Sequence, residues 1–310
     1  MIRAVLLAFA AAAASLPTAV AAQERPTDPW LTTPVDDATF RAYLEFFTYD
    51  AALPFDTRVA GTSDEEGVTT ERLSIQSTPG VRLTADLYHP PGGAQAALAS
   101  VIVLHGGGAQ GKDAAGVKRY SRVLARAGFL VLAMDMQHFG ERAAGLFTTF
   151  AELEKHERLY NQPSAYLAFV TQTVKDVSRA YDYLVRERGA HARRVGVVGF
   201  SRGAVLASIA AGADRRLAAA VLLHGGHFDF YETAHLPAAC PANYIGRISP
   251  RPLLMINATN DADFLPDAAV RPLQRLAGQP VQFRWTEGGH GFTPDDEMTA
   301  LVEWLRGALR

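Results

Sequence analysis

From residue 100 onward, short and largely apolar runs recur between helical stretches: Ser100 to Leu104, Phe129 to Met134, Val195 to Phe200, Ala218 to Leu223, Pro252 to Ile256 and Val281 to Trp285. A strand with no polar face needs cover on both sides, so these runs predict parallel strands wrapped by helices. The intervening segments supply that cover. Leu167, Val170, Val174, Val177, Tyr181 and Leu184 keep a helical three-four spacing along one stripe, and Met298, Leu301, Val302 and Leu305 do the same near the end. Ahead of them, Glu71 to Ser77 and Val81 to Tyr88 flank Thr78-Pro79-Gly80, a turn suited to an antiparallel hairpin. The expected fold is therefore α/β: a mostly parallel central sheet with an N-terminal antiparallel hairpin and helices on both faces. In such folds ligands bind beyond the carboxyl ends of the strands.

The most informative strand end is Gly199-Phe200-Ser201-Arg202-Gly203, which leads into the helix-like run Ala204 to Ala211. A tight strand-to-helix turn of this kind, a nucleophile elbow, presents Ser201 at a helix N-terminus. A serine at its free pKa is a poor nucleophile and needs a base held by a third group. His290, in Gly288-Gly289-His290-Gly291-Phe292 after the last strand, is the candidate base. The orienting acid should follow Pro252 to Ile256, where Asp261 is the first choice and Asp263 the second. The backbone N–H of Arg202 supplies one oxyanion donor, and His105-Gly106-Gly107-Gly108 supplies the other, from Gly107 first and Gly108 next. An unperturbed imidazole would give activity that falls with pH near ~6.5.

Two rival chemistries are weaker. Gly106, Gly111 and Lys112 fall at phosphate-loop spacing, but Asp113 stands where a Ser or Thr should ligate magnesium. His224, His227, His235 and Cys240 cluster in one segment, yet their spacing matches no metal signature, so loop packing is expected and no metal or organic cofactor is assigned.

Residues 1–22 read as a secretory leader: Arg3, an apolar run from Val5, and Val20-Ala21-Ala22 for cleavage before Gln23. The apolar run stops at Ser15 and Pro17, short of the ~20 residues a membrane span needs. Export to the periplasm or the medium is expected, with residues 23–310 as a single domain. Thirty Lys plus Arg against thirty-two Asp plus Glu leave no basic surplus for nucleic acid. The lone Cys240 excludes an internal disulfide, and no feature specifies an oligomeric state.

Taken together, these residues resemble the α/β-hydrolase superfamily from about Glu71 to the C-terminus. Phe139-Gly140-Glu141-Arg142 and Ile248-Ser249-Pro250-Arg251-Pro252-Leu253 are similar to the dienelactone hydrolase, acetyl esterase and prolyl-oligopeptidase-like branch. Dienelactone hydrolases proper use a cysteine nucleophile where this chain has Ser201, and no repeat here could build a propeller. The resemblance implies a serine esterase acting on a small-molecule, small-acyl ester. A peptidase or thioesterase with the same triad is the alternative, followed by a binding protein without turnover. Insertions at about 138–163, with Phe139, Phe147 and Phe150, and at about 225–250, with Phe228, Phe230 and Tyr231, are expected to roof the pocket. Within them His138, Arg142 and Phe228 are the candidate substrate contacts.

Overall fold

A computed structural model describes residues 28–93, 97–144, 151–229, 231–233, 235–291 and 294–310. The expected leader at 1–22 and the expected roof residues Phe147, Phe150 and Phe230 lie outside the described residues. The strands are β1 (Arg58–Glu65), β2 (Val68–Thr78), β3 (Val81–Tyr88), β4 (Leu98–Leu104), β5 (Leu130–Met134), β6 (Ala190–Phe200), β7 (Ala219–Leu223), β8 (Leu253–Ala258) and β9 (Val281–Thr286). They form one sheet in the order β1-β2-β3-β5-β4-β6-β7-β8-β9. Pairing is antiparallel from β1 through β3 to β5 and parallel from β5 to β9. This is the mostly parallel α/β-hydrolase sheet that the apolar runs imply.

Alternate strand residues go to two separate cores, which is why the runs carry so little polarity. The α-helices described are α1 (Asp37–Leu44), α2 (Ala115–Arg126), α3 (Glu152–Lys155), α4 (Pro163–Glu187), α5 (Arg202–Ala213), α6 (Arg271–Leu276) and α7 (Asp295–Ala308). Ile102, Leu104, Val197, Leu222 and Met255 pack with Val170, Val174 and Val177 of α4 on one face. Val101, Val103, Val198, Val221 and Ile256 pack with Val117 and Leu124 of α2 (Ala115–Arg126) and with Leu301 and Leu305 of α7 (Asp295–Ala308) on the other. Burying one such side chain contributes roughly 1.5–3 kcal/mol, far more than an exposed ion pair at roughly 0–1 kcal/mol. The two apolar layers therefore hold the sheet. Behind β6, α5 (Arg202–Ala213) is buried from Arg202 to Gly212 and runs through the first core.

The register levels the parallel strand ends. Leu104 pairs with Gly199, Phe200 with Leu223, and Leu223 with Ile256. The residues that follow, His105, Ser201, His224 and Asn257, consequently emerge along one edge of the sheet.

Two elements differ from the sequence reading. β1 has no buried residue and so lacks the alternation that reveals a strand; its ladder to β2 and an ion pair from Glu65 to Arg122 hold it. β9 is an edge strand with Gln282 and Phe283 exposed, because it has a neighbour on one side only. The uniform two-sided cover expected for all six runs ends at β8.

Candidate active site

Ser201 occupies a backbone conformation that a side chain rarely adopts, with φ 54° and ψ −120°. The turn demands glycine on both sides of it. A Cβ at Gly199 would overlap the Gly203 carbonyl, and a Cβ at Gly203 would run into the carbonyls of Leu104 and His105. The elbow is pinned by the Ser201 N–H donating to the Leu223 carbonyl at 2.8 Å. Nonglycine residues in such regions cost of order 1–3 kcal/mol, which persists only where the surroundings over-determine the geometry.

Three side chains from three strand ends meet here. His290 Nε2 lies 2.9 Å from Ser201 Oγ, and His290 Nδ1 lies 2.9 Å from Asp261 Oδ2. The other carboxylate oxygen of Asp261 accepts the N–H groups of Asp263 and Phe264, each at 2.9 Å. This fixes the carboxylate against the imidazole. Burial would raise the Asp261 pKa, but the His290 hydrogen bond and these two N–H groups outweigh it and hold the carboxyl below its usual range. For His290, burial favours the neutral ring, and the Asp261 hydrogen bond and charge overcome that, so its pKa is raised above 6.5 rather than left unperturbed. Asp263 stands 3.5 Å from Nε2, the wrong nitrogen for an orienting acid, with its side chain half exposed.

Beneath His290, the ring of His224 meets it edge-on at 6.2 Å. His224 is buried, and neither of its ring nitrogens has a hydrogen-bond partner among the described residues. Burial and the nearby His290 push its pKa down to about 4, so it remains a neutral ring that packs the base without competing for Ser201.

The glycine loop after β4 is held by a second neutral histidine. His105 Nε2 accepts the Met136 N–H at 2.9 Å, which leaves the proton on Nδ1 to be donated to the Gly106 carbonyl at 2.6 Å. Burial drives the His105 pKa down to about 4. Lys155 Nζ draws the Gly107 carbonyl at 3.3 Å, while the Gly108 carbonyl accepts Gly111 N–H at 3.2 Å. The Arg202 N–H lies in the first turn of α5, where amides have no intrahelical acceptor. Lys112 is fully buried, 3.2 Å from Asp135 and also bonded to Glu141. It is directed into the protein, away from any phosphate.

Ser201, His290, Gly106, Gly107, Gly108 and Arg202 all line one cavity of about 530 Å³. The three predicted substrate contacts lie elsewhere. Arg142 is buried in an ion pair with Asp176 at 2.6 Å, His138 stacks on Phe169, and Phe228 lines a second cavity and stacks on His227. Their places in the cavity wall are taken by His156, Asp229 and Tyr231.

The side chain of Arg202 was not foreseen. It is buried, contacts Asp229 and Glu232 at 2.5 Å each, and lies over the Tyr160 ring at 4.0 Å. Burial opposes its charge, but Glu232, Tyr166 and Asp229 raise its pKa well above the usual value. Asp229 also contacts His156 Nε2 at 2.6 Å. One arginine thus ties both inserted segments to the helix that carries the serine. The only sequence signal was its place beside Ser201, which pointed to its amide alone.

A family model described as the dienelactone hydrolase family matches residues 85–303. No curated protein matches the chain. Among solved structures, an acetyl xylan esterase from Paenibacillus sp. R4 is similar at 18% identity and TM-score 0.68, covering 92% of this chain and 100% of that one. A cold-adapted esterase from an Arctic intertidal metagenomic library is similar at 17% identity and TM-score 0.63, covering 81% and 98%. Acetyl xylan esterase 1 from Thermoanaerobacterium sp. JW/SL YS485 follows at 14% identity and TM-score 0.63, covering 92% and 95%. These likenesses show the shared fold.

Proposed function

The chain belongs to the dienelactone hydrolase family and is a hydrolase with carboxylesterase activity; from that premise we propose that it cleaves small acyl esters, of acetyl type, through a Ser201–His290–Asp261 acyl-enzyme cycle. The observation that carries this reading is the pair of 2.9 Å contacts that link the three side chains in one line. In the first half-reaction Ser201 Oγ attacks the ester carbonyl as its proton passes to His290 Nε2. The alkoxide that forms on the substrate meets the Arg202 and Gly107 amides, with Gly108 beside them. His290 then gives its proton to the departing alcohol. In the second half-reaction it takes a proton from water, which attacks the acyl-serine, and returns that proton to Ser201 Oγ as the acid leaves. Asp261 keeps the imidazole in the tautomer whose Nε2 accepts, and its charge stabilises the imidazolium. No step requires a metal or an organic cofactor.

The small acyl preference is supported by the acetyl xylan esterases among the structural neighbours. A polar alcohol portion is supported by Gln110, Asp113, Asp229 and Asp263 in the cavity wall. The test is hydrolysis of p-nitrophenyl acetate beside longer-chain esters by the wild type and by Ser201→Ala. Rates confined to short chains and lost on the order of 10³-fold or more in the variant are expected. Serine-independent hydrolysis, or a preference for long chains, would overturn the reading.

We also propose export, supported by the Arg3, apolar and Ala21-Ala22 pattern of the leader. N-terminal sequencing of protein from the periplasm or medium should begin near Gln23. An uncleaved chain confined to the cytoplasm would refute this.

A further inference from the structure

Beside the serine cavity, in the wall of a second cavity that shares Asp263 with it, the fold brings Asp28 to His227 and, behind them, Cys240. Asp28 lies 199 residues from His227 and 212 from Cys240. Asp28 Oδ2 is 3.0 Å from His227 Nε2 and 3.7 Å from Cys240 Sγ, and Sγ is 3.9 Å from His227 Nδ1. Taking one nitrogen from the ring, the three donor atoms all lie within 4.8 Å of one another. All three are sequestered: the Asp28 side chain is 10% exposed, that of His227 3%, and Cys240 is 0% exposed.

We infer that Asp28, His227 and Cys240 form a binding site for a divalent transition metal of zinc type. Metal–sulfur bonds of about 2.3 Å and metal–nitrogen or –oxygen bonds of about 2.0–2.2 Å, at tetrahedral angles, put donor atoms roughly 3.4–3.6 Å apart. Asp28 Oδ2, 3.0 Å from His227 Nε2 and 3.7 Å from Cys240 Sγ, brackets that spacing, and the one ring nitrogen that would serve as donor lies within 4.8 Å of Sγ. As hydrogen bonds the two sulfur contacts are long, so ordinary pairing gives a weak account of why the thiol is buried between a carboxylate and an imidazole. Mixed oxygen, nitrogen and sulfur donors suit zinc and exclude calcium or magnesium, which take oxygen alone.

The surroundings orient each donor as outer contacts do around a metal. Asp28 Oδ1 accepts the Trp30 N–H at 2.9 Å, leaving Oδ2 to face the histidine and the thiol. The His227 ring is clamped by Phe228, stacked at 4.0 Å, and its backbone N–H donates to the Ala269 carbonyl at 2.9 Å. Asp28 and His227 also line a cavity of about 350 Å³, which offers a fourth coordination position to water or an external ligand. On binding, the Sγ proton leaves to solvent as the sulfur–metal bond forms, with no change of oxidation state. The ion would clamp the N-terminal segment around Asp28 onto the body of the protein, closing loops of 199 and 212 residues.

Cobalt(II) titration of the chelator-treated full chain tests this. Cys240 is the sole cysteine, so a thiolate-to-cobalt absorption band has a single possible source. One equivalent of cobalt should produce the band and zinc should abolish it by displacement. Asp28→Ala should weaken the affinity at least tenfold, and Cys240→Ser should eliminate the band while circular dichroism reports whether that variant is folded. Absence of the band in the wild type, or cobalt binding without it, overturns the site. So does a band whose affinity Asp28→Ala leaves unchanged, a result that does not depend on Cys240→Ser folding.

Discussion

Two places in this molecule join a nucleophile, a histidine and an aspartate, and they are wired differently. At Ser201 the histidine stands between the other two, with each ring nitrogen 2.9 Å from one partner. At Cys240 the histidine also turns one ring nitrogen to each partner, Nε2 to Asp28 at 3.0 Å and Nδ1 to Sγ at 3.9 Å, but there the aspartate reaches the sulfur directly as well, at 3.7 Å. Ser201 sits on a strained turn facing a cavity, whereas Cys240 has ordinary extended angles, φ −92° and ψ 119°, and is sealed in. A relay moves a proton along a line; a closed triangle of donors surrounds a point. Which groups a chain brings together matters less than whether the outer two also meet.

The sharpest way to break this contrast is at the acids of the relay. Asp261→Asn should lower kcat/KM by ~10²–10⁴-fold, because the amide no longer fixes the accepting tautomer. Asp263→Asn should change it by less than about tenfold, since Asp263 faces the wrong nitrogen. Equal losses in steady-state assays would mean that the line drawn through Asp261 is wrong.

Next in size is chemical access. A serine-directed phosphonate should label Ser201 rapidly, while iodoacetamide should alkylate Cys240 in the folded protein at less than about 1% of the rate of a free thiol. Burial and the neighbouring Asp28 push the Cys240 thiol well above its ordinary pKa. Rapid alkylation, read by mass spectrometry, would remove the distinction between an open and a sealed nucleophile.

Arg202→Met probes the support of the first constellation. It strands Asp229 and Glu232 as buried carboxylates without their cation, so a loss of about 3–5 kcal/mol is expected in denaturant unfolding. A loss under about 1 kcal/mol would show that the inserted segments are held by other contacts.

The smallest effect is on pH. His290 must be neutral to accept the serine proton, and its raised pKa keeps it protonated to higher pH than a free imidazole. Activity should therefore be lost as pH falls through a midpoint above 6.5. In Asp261→Asn burial is no longer opposed by the carboxylate, so the residual activity should have its midpoint at lower pH. Profiles of kcat/KM between pH 5 and 8 that coincide would sever the link between acid and base.

Much of this was legible because a strand buried on both faces announces itself. The apolar runs located β4 through β9, and each residue of the proposed relay follows one strand end. β1 was illegible because every residue in it is exposed and only its partner strand defines it. Side-chain reach was illegible for a different reason. Arg142 finds Asp176, 34 residues on, and Arg202 finds Asp229 and Glu232, 27 and 30 residues on. Such pairings arise from the way helices and irregular segments come together in the fold, which local pattern does not encode. Asp28 is the extreme case, an unremarkable acid until folding sets it beside His227 and Cys240.

The positive φ of Ser201 carries a last implication, for durability rather than rate. With the hydroxyl gone, glycine would hold that conformation more comfortably than alanine, by about 1 kcal/mol. The inactive Ser201→Gly protein should thus outlast inactive Ser201→Ala on heating, reversing the usual order of those two residues. At the serine on which the proposed chemistry depends, the fold is kept short of the toughness the rest of the chain would allow it.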